Sequence, residues 1–131
     1  MGRVGHFEIH ADDPERCIEF YQSIFGWHFS KWDGPIEYWL ITTGQDSIPG
    51  INGGLMRRQG PSPTMGQPLN SYVCSIVVDS IDESLAAAHA LNAMVAVPKM
   101  AIPNVGWLAY IIDTEGNIIG IMQEDATVST T

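Results

Sequence analysis

At 131 residues, with 45% hydrophobic and 16% charged side chains, the chain has the size and composition of one globular domain with enough apolar residues to bury a core. Six Lys and Arg against fifteen Asp and Glu give a formal charge of -9, which argues against nucleic acid and anionic membrane surfaces as partners, because both call for basic patches. No apolar run approaches the roughly 18 residues of a bilayer span, and Cys17 and Cys74 stand apart with no CxxC and no secretory signal ahead of them, so a reducing cytoplasm is the expected compartment.

The first strand candidate is HFEIH, His6 to His10, which places two imidazoles and a carboxylate at alternate positions and hence on one face of an extended chain. Imidazole and carboxylate are common ligands of divalent metals, so this face is the first candidate site. A helix follows in ADDPERCIEFYQSIFGW: Asp13 caps it, Pro14 suits its first turn, Cys17, Phe20, Tyr21 and Ile24 keep helical spacing, and Gly26 ends it. Three short strand candidates come next, WHFSKW, IEYWLITT and INGGLM. The stretch RRQGPSPTMGQPLN is rich in Pro, Gly and Ser and reads as a joint.

Beyond the joint the plan repeats. SYVCSIVVDSIDESLAAAHALNA reads as an apolar strand, a capping box of Ser80 with Glu83, and a helix with Leu85, Ala88 and Leu91 on one face. MVAVP, GWLAYII and NIIGIM are its three later strands. A shift of 67 residues superposes the blocks, matching Phe7 and Ile9 with Cys74 and Ile76, Ile18 with Leu85, and Gly26 with Ala93. A repeat of this kind means two copies of one supersecondary unit, each needing cover for its exposed sheet face. The expected fold is α+β, one domain built from two βαβββ modules over residues of about 3–57 and 71–124, with a linker over 58–70 and a flexible tail over 125–131. Two curved sheets facing each other would leave a cleft.

The repeat, the DDPERCIEFYQSIFGW helix and the final hairpin DTEGNIIGIM together resemble the vicinal oxygen chelate superfamily, which includes glyoxalase I, extradiol dioxygenases, methylmalonyl-CoA epimerase and bleomycin-resistance proteins. KMAIPNVGWLAYIIDTEGN with GINGGLM is similar to a bacterial group of that superfamily called glyoxalase-like. The resemblance covers almost the whole chain and is specific for fold; the superfamily hosts unrelated chemistries on one scaffold. It implies four metal-ligand positions, on the first and last strand of each module. His6 fills the first, but the other three fall on Gly54, Val73 and Gly120, with Tyr72 the only donor beside Val73. A catalytic zinc ordinarily has three protein ligands, and alternate residues of one strand lie nearly 7 Å apart, too far for an unstrained chelate from His6, Glu8 and His10 alone. The expectation is therefore no cofactor and no family-type metal, a divalent ion remaining only if Glu8, His10 or Tyr72 are unorthodox ligands.

His6 is read as a pocket residue. Glu8 is either a buried carboxylate acting as general base or the partner of Arg3 or Lys31 at a rim, and His10 is expected to be solvent exposed. Gly53, Gly54 and Gly120 inside strands point to close approach of a ligand or another backbone, or else to β-bulges. Asn52 and Met56 share the face of Gly54, and Ile118 and Met122 that of Gly120, giving an apolar pocket with few polar anchors. Trp39 and Trp107, in the similar contexts YWLI and GWLA, are candidates to line it, their faces left open because the repeat register is ambiguous by one residue there, and Lys99 between two prolines is a candidate to draw an anionic ligand. There is no GxSxG, no Cys with a His partner indicated by sequence, and no Gly-rich phosphate loop. Two functions follow: a metal-independent protein binding a small apolar or aromatic molecule, or a glyoxalase-like lyase or isomerase using His6 and Glu8. The resemblance also implies a homodimer, with pairing of modules within the chain or across the dimer left open.

Overall fold

The computed structural model describes residues 2–129, and the chain divides into two compact units, one ending at Ser62 and the other starting at Pro63. The first unit runs β1 (Phe7–Ala11), α1 (Pro14–Phe25), β2 (His28–Lys31), β3 (Trp39–Thr42) and β4 (Gly53–Arg57). The second runs β5 (Ser75–Val77), α2 (Ile81–Ala90), β6 (Met94–Ile102), β7 (Gly106–Ile112) and β8 (Ile118–Glu124). Each has one four-stranded sheet, ordered β1-β4-β3-β2 and β5-β8-β7-β6, so each is a βαβββ module and the fold is α+β. In both, the first strand lies parallel to the last and the other neighbours are antiparallel. The joint over 58–70 contains no helix or strand.

Helix α1 starts where a side chain can take an orphan amide: Asp13 accepts from the Arg16 N–H, and Pro14 sits in the first turn. Gly26, at φ 70, ends it in the left-handed conformation. Cys17, Phe20 and Tyr21 are buried against the sheet, and full burial of each aromatic is worth roughly 1.5–3 kcal/mol. Tyr21 stacks on Trp27 at 5.0 Å, and Trp27 meets Phe7 of β1 at 5.5 Å, so Phe7, Ile9 and Ala11 define the helix-facing side of this sheet. His6, Glu8 and His10 therefore point to the other, open side.

The Pro14 and Ile81 starts of the two helices lie 67 residues apart, as the repeat predicts. Ser80 accepts from the Glu83 N–H, and Ile81, Ser84 and Ala88 form the buried stripe, one turn off the Leu85 and Leu91 expected with Ala88. The match of Gly26 with Ala93 needs correction: the left-handed residue after α2 is Asn92, at φ 68, and Ala93 donates back to the Ala88 carbonyl at 3.0 Å. Helix α2 has 10 residues against 12 in α1, so its stop comes earlier. Residues 125–129 are tied down rather than a loose tail. Val128 is buried, its carbonyl accepts from the Asn104 N–H at 2.8 Å, and Asp125 donates to the Val105 carbonyl. Residues 130–131 of the expected tail lie outside the described residues.

Candidate functional site

On the open side of the first module, β1 presents a hydrogen-bonded array rather than three separate polar groups. His10 Nε2 is 2.7 Å from Glu8 Oε1, and the Tyr38 hydroxyl reaches Glu8 Oε2 at 3.2 Å and His6 Nε2 at 3.0 Å. Tyr38 immediately precedes β3 and shares the face of Leu40, which pairs with Gly54, which in turn pairs with Glu8. This register carries the phenol across β4. It crosses where β4 has no side chain: a Cβ built on Gly54 would fall on the Tyr38 hydroxyl. Gly54 thus makes room for a close approach, by a side chain of the same module rather than by the ligand or backbone expected.

The donors in the array are set by the carboxylate. Ionised Glu8 can only accept, so Tyr38 donates to it and must accept at its other contact; His6 Nε2 then carries the proton. By the same logic His10 donates Nε2–H to Glu8. Desolvation raises the Tyr38 phenol above its ordinary value, and the neighbouring Glu8 charge and hydrogen bond raise it further, so it remains a neutral donor at ordinary pH. Glu8 is not paired with Arg3 or Lys31, and its side chain is exposed rather than buried. His10 is half-exposed rather than free-standing, because Glu8 holds it.

Met56 lies on this open face, whereas Asn52, just before β4, accepts from the Thr43 N–H at 2.9 Å and so closes the β3–β4 loop. Trp39 lies on the opposite side. It pairs with fully buried Leu55 on the helix-facing side, beneath the Lys31 ammonium at 5.3 Å. Trp107 repeats this in the second module, where it pairs with Gln123, whose side chain caps the Ile81 N–H of α2. Lys99 sits 4.6 Å above the Trp107 ring and binds both Asp82 carboxylate oxygens at 3.1 and 3.2 Å. Trp39, Trp107 and Lys99 are therefore removed from the candidate site: alternation puts the indoles on the helix side, and the lysine is committed to Asp82 on the helix.

Ile118, Gly120 and Met122 do share the open face of the second sheet, and the space above Gly120 is filled by Ser75 and Tyr110. Gly53, on the helix-facing side, accommodates the Phe7 ring. None of these glycines marks a bulge; the register shifts fall in β6, between Val95 and Met100. Tyr72 is 95% exposed.

A divalent metal of the kind the resemblance implies does not fit this donor set. At position 54 the carboxylate is replaced by a neutral phenol, Val73 and Gly120 offer no donor, and His6 Nε2 carries a proton toward Tyr38. Among the described residues no group of three or more His, Cys, Asp or Glu side chains is placed to hold a metal ion.

Sequence reasoning missed Tyr38, Leu40 and Trp32. Trp32 meets Tyr38 edge-on at 6.4 Å, its backbone N–H donates to the Tyr38 carbonyl, and it is 42% exposed. The available signal was the alternation in EYWLIT: Ile41 is an obvious core residue, which puts Trp39 with it and Tyr38 and Leu40 opposite.

The profile of the bleomycin resistance protein-like N-terminal family matches residues 3–44, the stretch holding His6, Glu8, Trp32 and Tyr38. No curated protein matches the chain. Among solved structures, TioX from Micromonospora sp. ML1 is similar over 95% of this chain and 100% of its own, at 18% identity and a TM-score of 0.64. A variant of the fosfomycin resistance protein FosX from Listeria monocytogenes, complexed with Mn(II) and 1S,2S-dihydroxypropylphosphonic acid, matches over 93% of this chain and 90% of its own, at 15% identity and a TM-score of 0.68. A glyoxylase/bleomycin resistance protein/dioxygenase domain from Frankia sp. EAN1pec matches over 95% and 99%, at 17% identity and a TM-score of 0.68. The chain thus shares the fold of these structures, and its residues 3–44 are similar to the bleomycin resistance protein-like N-terminal family.

Proposed function

We propose that this chain binds a small apolar or aromatic molecule on the open sheet face of its first module, without a divalent metal at His6. The observation that carries this reading is the Tyr38 hydroxyl over Gly54, which turns the expected ligand position into part of a hydrogen-bonded organic surface. Leu40, Met56 and Trp32 supply apolar and aromatic contact around it, and a few fixed polar groups amid such surface are the usual make-up of a small-molecule site. The bleomycin resistance protein-like signature over the same residues supports binding. The test is native mass spectrometry of gently purified protein, followed by amide chemical-shift mapping of any organic molecule released and added back. Shifts centred on Tyr38, Leu40 and Met56 are expected; shifts confined to other strands would overturn the assignment.

A second reading, a glyoxalase-like lyase or isomerase, is favoured by one feature: the Tyr38 hydroxyl contacts both His6 and Glu8, the two groups suited to moving a proton. Its check is solvent deuterium uptake into the product from the hemithioacetal of methylglyoxal and glutathione, abolished by Glu8→Gln.

We further infer a two-fold homodimer working in a reducing cytoplasm. Leu40 in the first unit, and Val77, Met94 and Val95 in the second, are 47, 58, 49 and 56% exposed, apolar side chains of the kind that association covers. Cys74 is an exposed thiol, which suits a reducing compartment. Among the described residues no helix is long and apolar enough to cross a membrane.

A further inference from the structure

We propose that the polar end of the ligand is a cationic hydrogen-bond donor, a protonated amine or amidinium, received by Glu8 and His6. This rests on the binding reading above and adds the chemical class of the ligand. Hydrogen-bond direction carries it. Every donor in the array points inward: Tyr38 spends its O–H on Glu8, and His6 and His10 spend Nε2–H on Tyr38 and Glu8. What remains outward is acceptors. Each Glu8 oxygen accepts one bond in the array and keeps a second lone pair, and neutral His6 keeps its Nδ1 lone pair. A phosphonate or carboxylate ligand would meet lone pairs only, while an ammonium meets a carboxylate.

The surrounding charges point the same way. The strands of this module carry two fixed cations, Lys31 and Arg57, and both are turned to the helix-facing side, where Lys31 lies over Trp39 and Arg57 pairs with Glu37 at 3.0 Å. Arg58, just beyond β4, holds Asp12 at 3.0 Å. The open face thus keeps its carboxylate without a strand cation beside it, in a chain of net charge -9. Half-exposed Trp32, edge-on to Tyr38, offers an aromatic wall for a ring joined to the ammonium.

The experiment compares three probes of similar size, 2-phenylethylammonium, 2-phenylethanol and phenylacetate, titrated to millimolar concentration while the Trp32 indole N–H is followed by ¹H–¹⁵N NMR. The expected order is ammonium, then alcohol, then carboxylate, with the ammonium about tenfold tighter than the alcohol, a gap of 1.4 kcal/mol. In Glu8→Gln, shown folded by circular dichroism, that gap should close. Phenylacetate binding as tightly as the ammonium, or an ammonium advantage that survives Glu8→Gln, overturns the proposal. Equal binding of ammonium and alcohol leaves the binding reading standing and removes this one. No Trp32 shift with any probe removes both.

Discussion

The Tyr38 hydroxyl occupies the space where a side chain on Gly54 would begin, and from there it bonds both His6 and Glu8. The two positions are linked by strand register, since Leu40, two residues after Tyr38, pairs with Gly54.

Gly54→Ala should displace the phenol. Because the clash is with the tip of a partly exposed side chain, the stability cost should be modest, about 1 kcal/mol, and most of it should vanish on a Tyr38→Ala background. Denaturant unfolding of the four members of this cycle measures it. Equal costs on both backgrounds would mean that Tyr38 does not rest over Gly54.

The histidine tautomers provide an independent check. With neutral rings at alkaline pH, long-range ¹H–¹⁵N spectra should show His6 and His10 protonated at Nε2, because Tyr38 and Glu8 accept from them. Protonation at Nδ1 of His6 would contradict the donor order of the array.

Tyr38 should titrate later than an ordinary phenol. Its folded value lies above 10.0, first through desolvation, then through the Glu8 charge and hydrogen bond. The folded state therefore holds this proton more tightly than the unfolded chain. The associated stability is complete below the unfolded phenol value and is lost as pH rises through the folded one. Absorbance titration of the protein against Tyr38→Phe should show one late phenolate missing from the variant, and Glu8→Gln should bring it earlier; an unchanged late step in Tyr38→Phe would refute the assignment.

The proposed dimer should survive dilution. A two-fold interface covering the exposed apolar strands is expected to bury at least roughly 1,600 Å² in total, enough for a dimer mass by light scattering at micromolar concentration. A monomer mass with the circular dichroism of the folded chain would count against it.

Much of this was legible in the sequence where one strong local signal sufficed. Asp13 with Pro14, Gly26 and Ser80 mark helix ends by the amides and dihedrals they satisfy, and the alternation in HFEIH fixes which side chains share a face. The site was only half visible, because Tyr38 joins it through the β3–β4 register, a pairing that no local pattern encodes. The faces of Trp39 and Trp107 are left open by the sequence for a related reason. The repeat shifts by 67 residues at the helices but by 68 at Lys31–Lys99 and Trp39–Trp107, and one residue in a strand exchanges the two faces. The correct shift would have revealed a lysine stacked on a tryptophan in both modules.

The most direct test of the central claim, that an organic hydrogen-bonded array stands where the fold's relatives are expected to hold a metal, is a titration of chelator-treated protein with Mn(II), Ni(II) and Zn(II). Bound metal is read by elemental analysis after gel filtration, and the Trp32 indole N–H by NMR. The account predicts well under one equivalent of each ion and no Trp32 shift; one equivalent that moves the Trp32 signal and is lost in His6→Ala would contradict it.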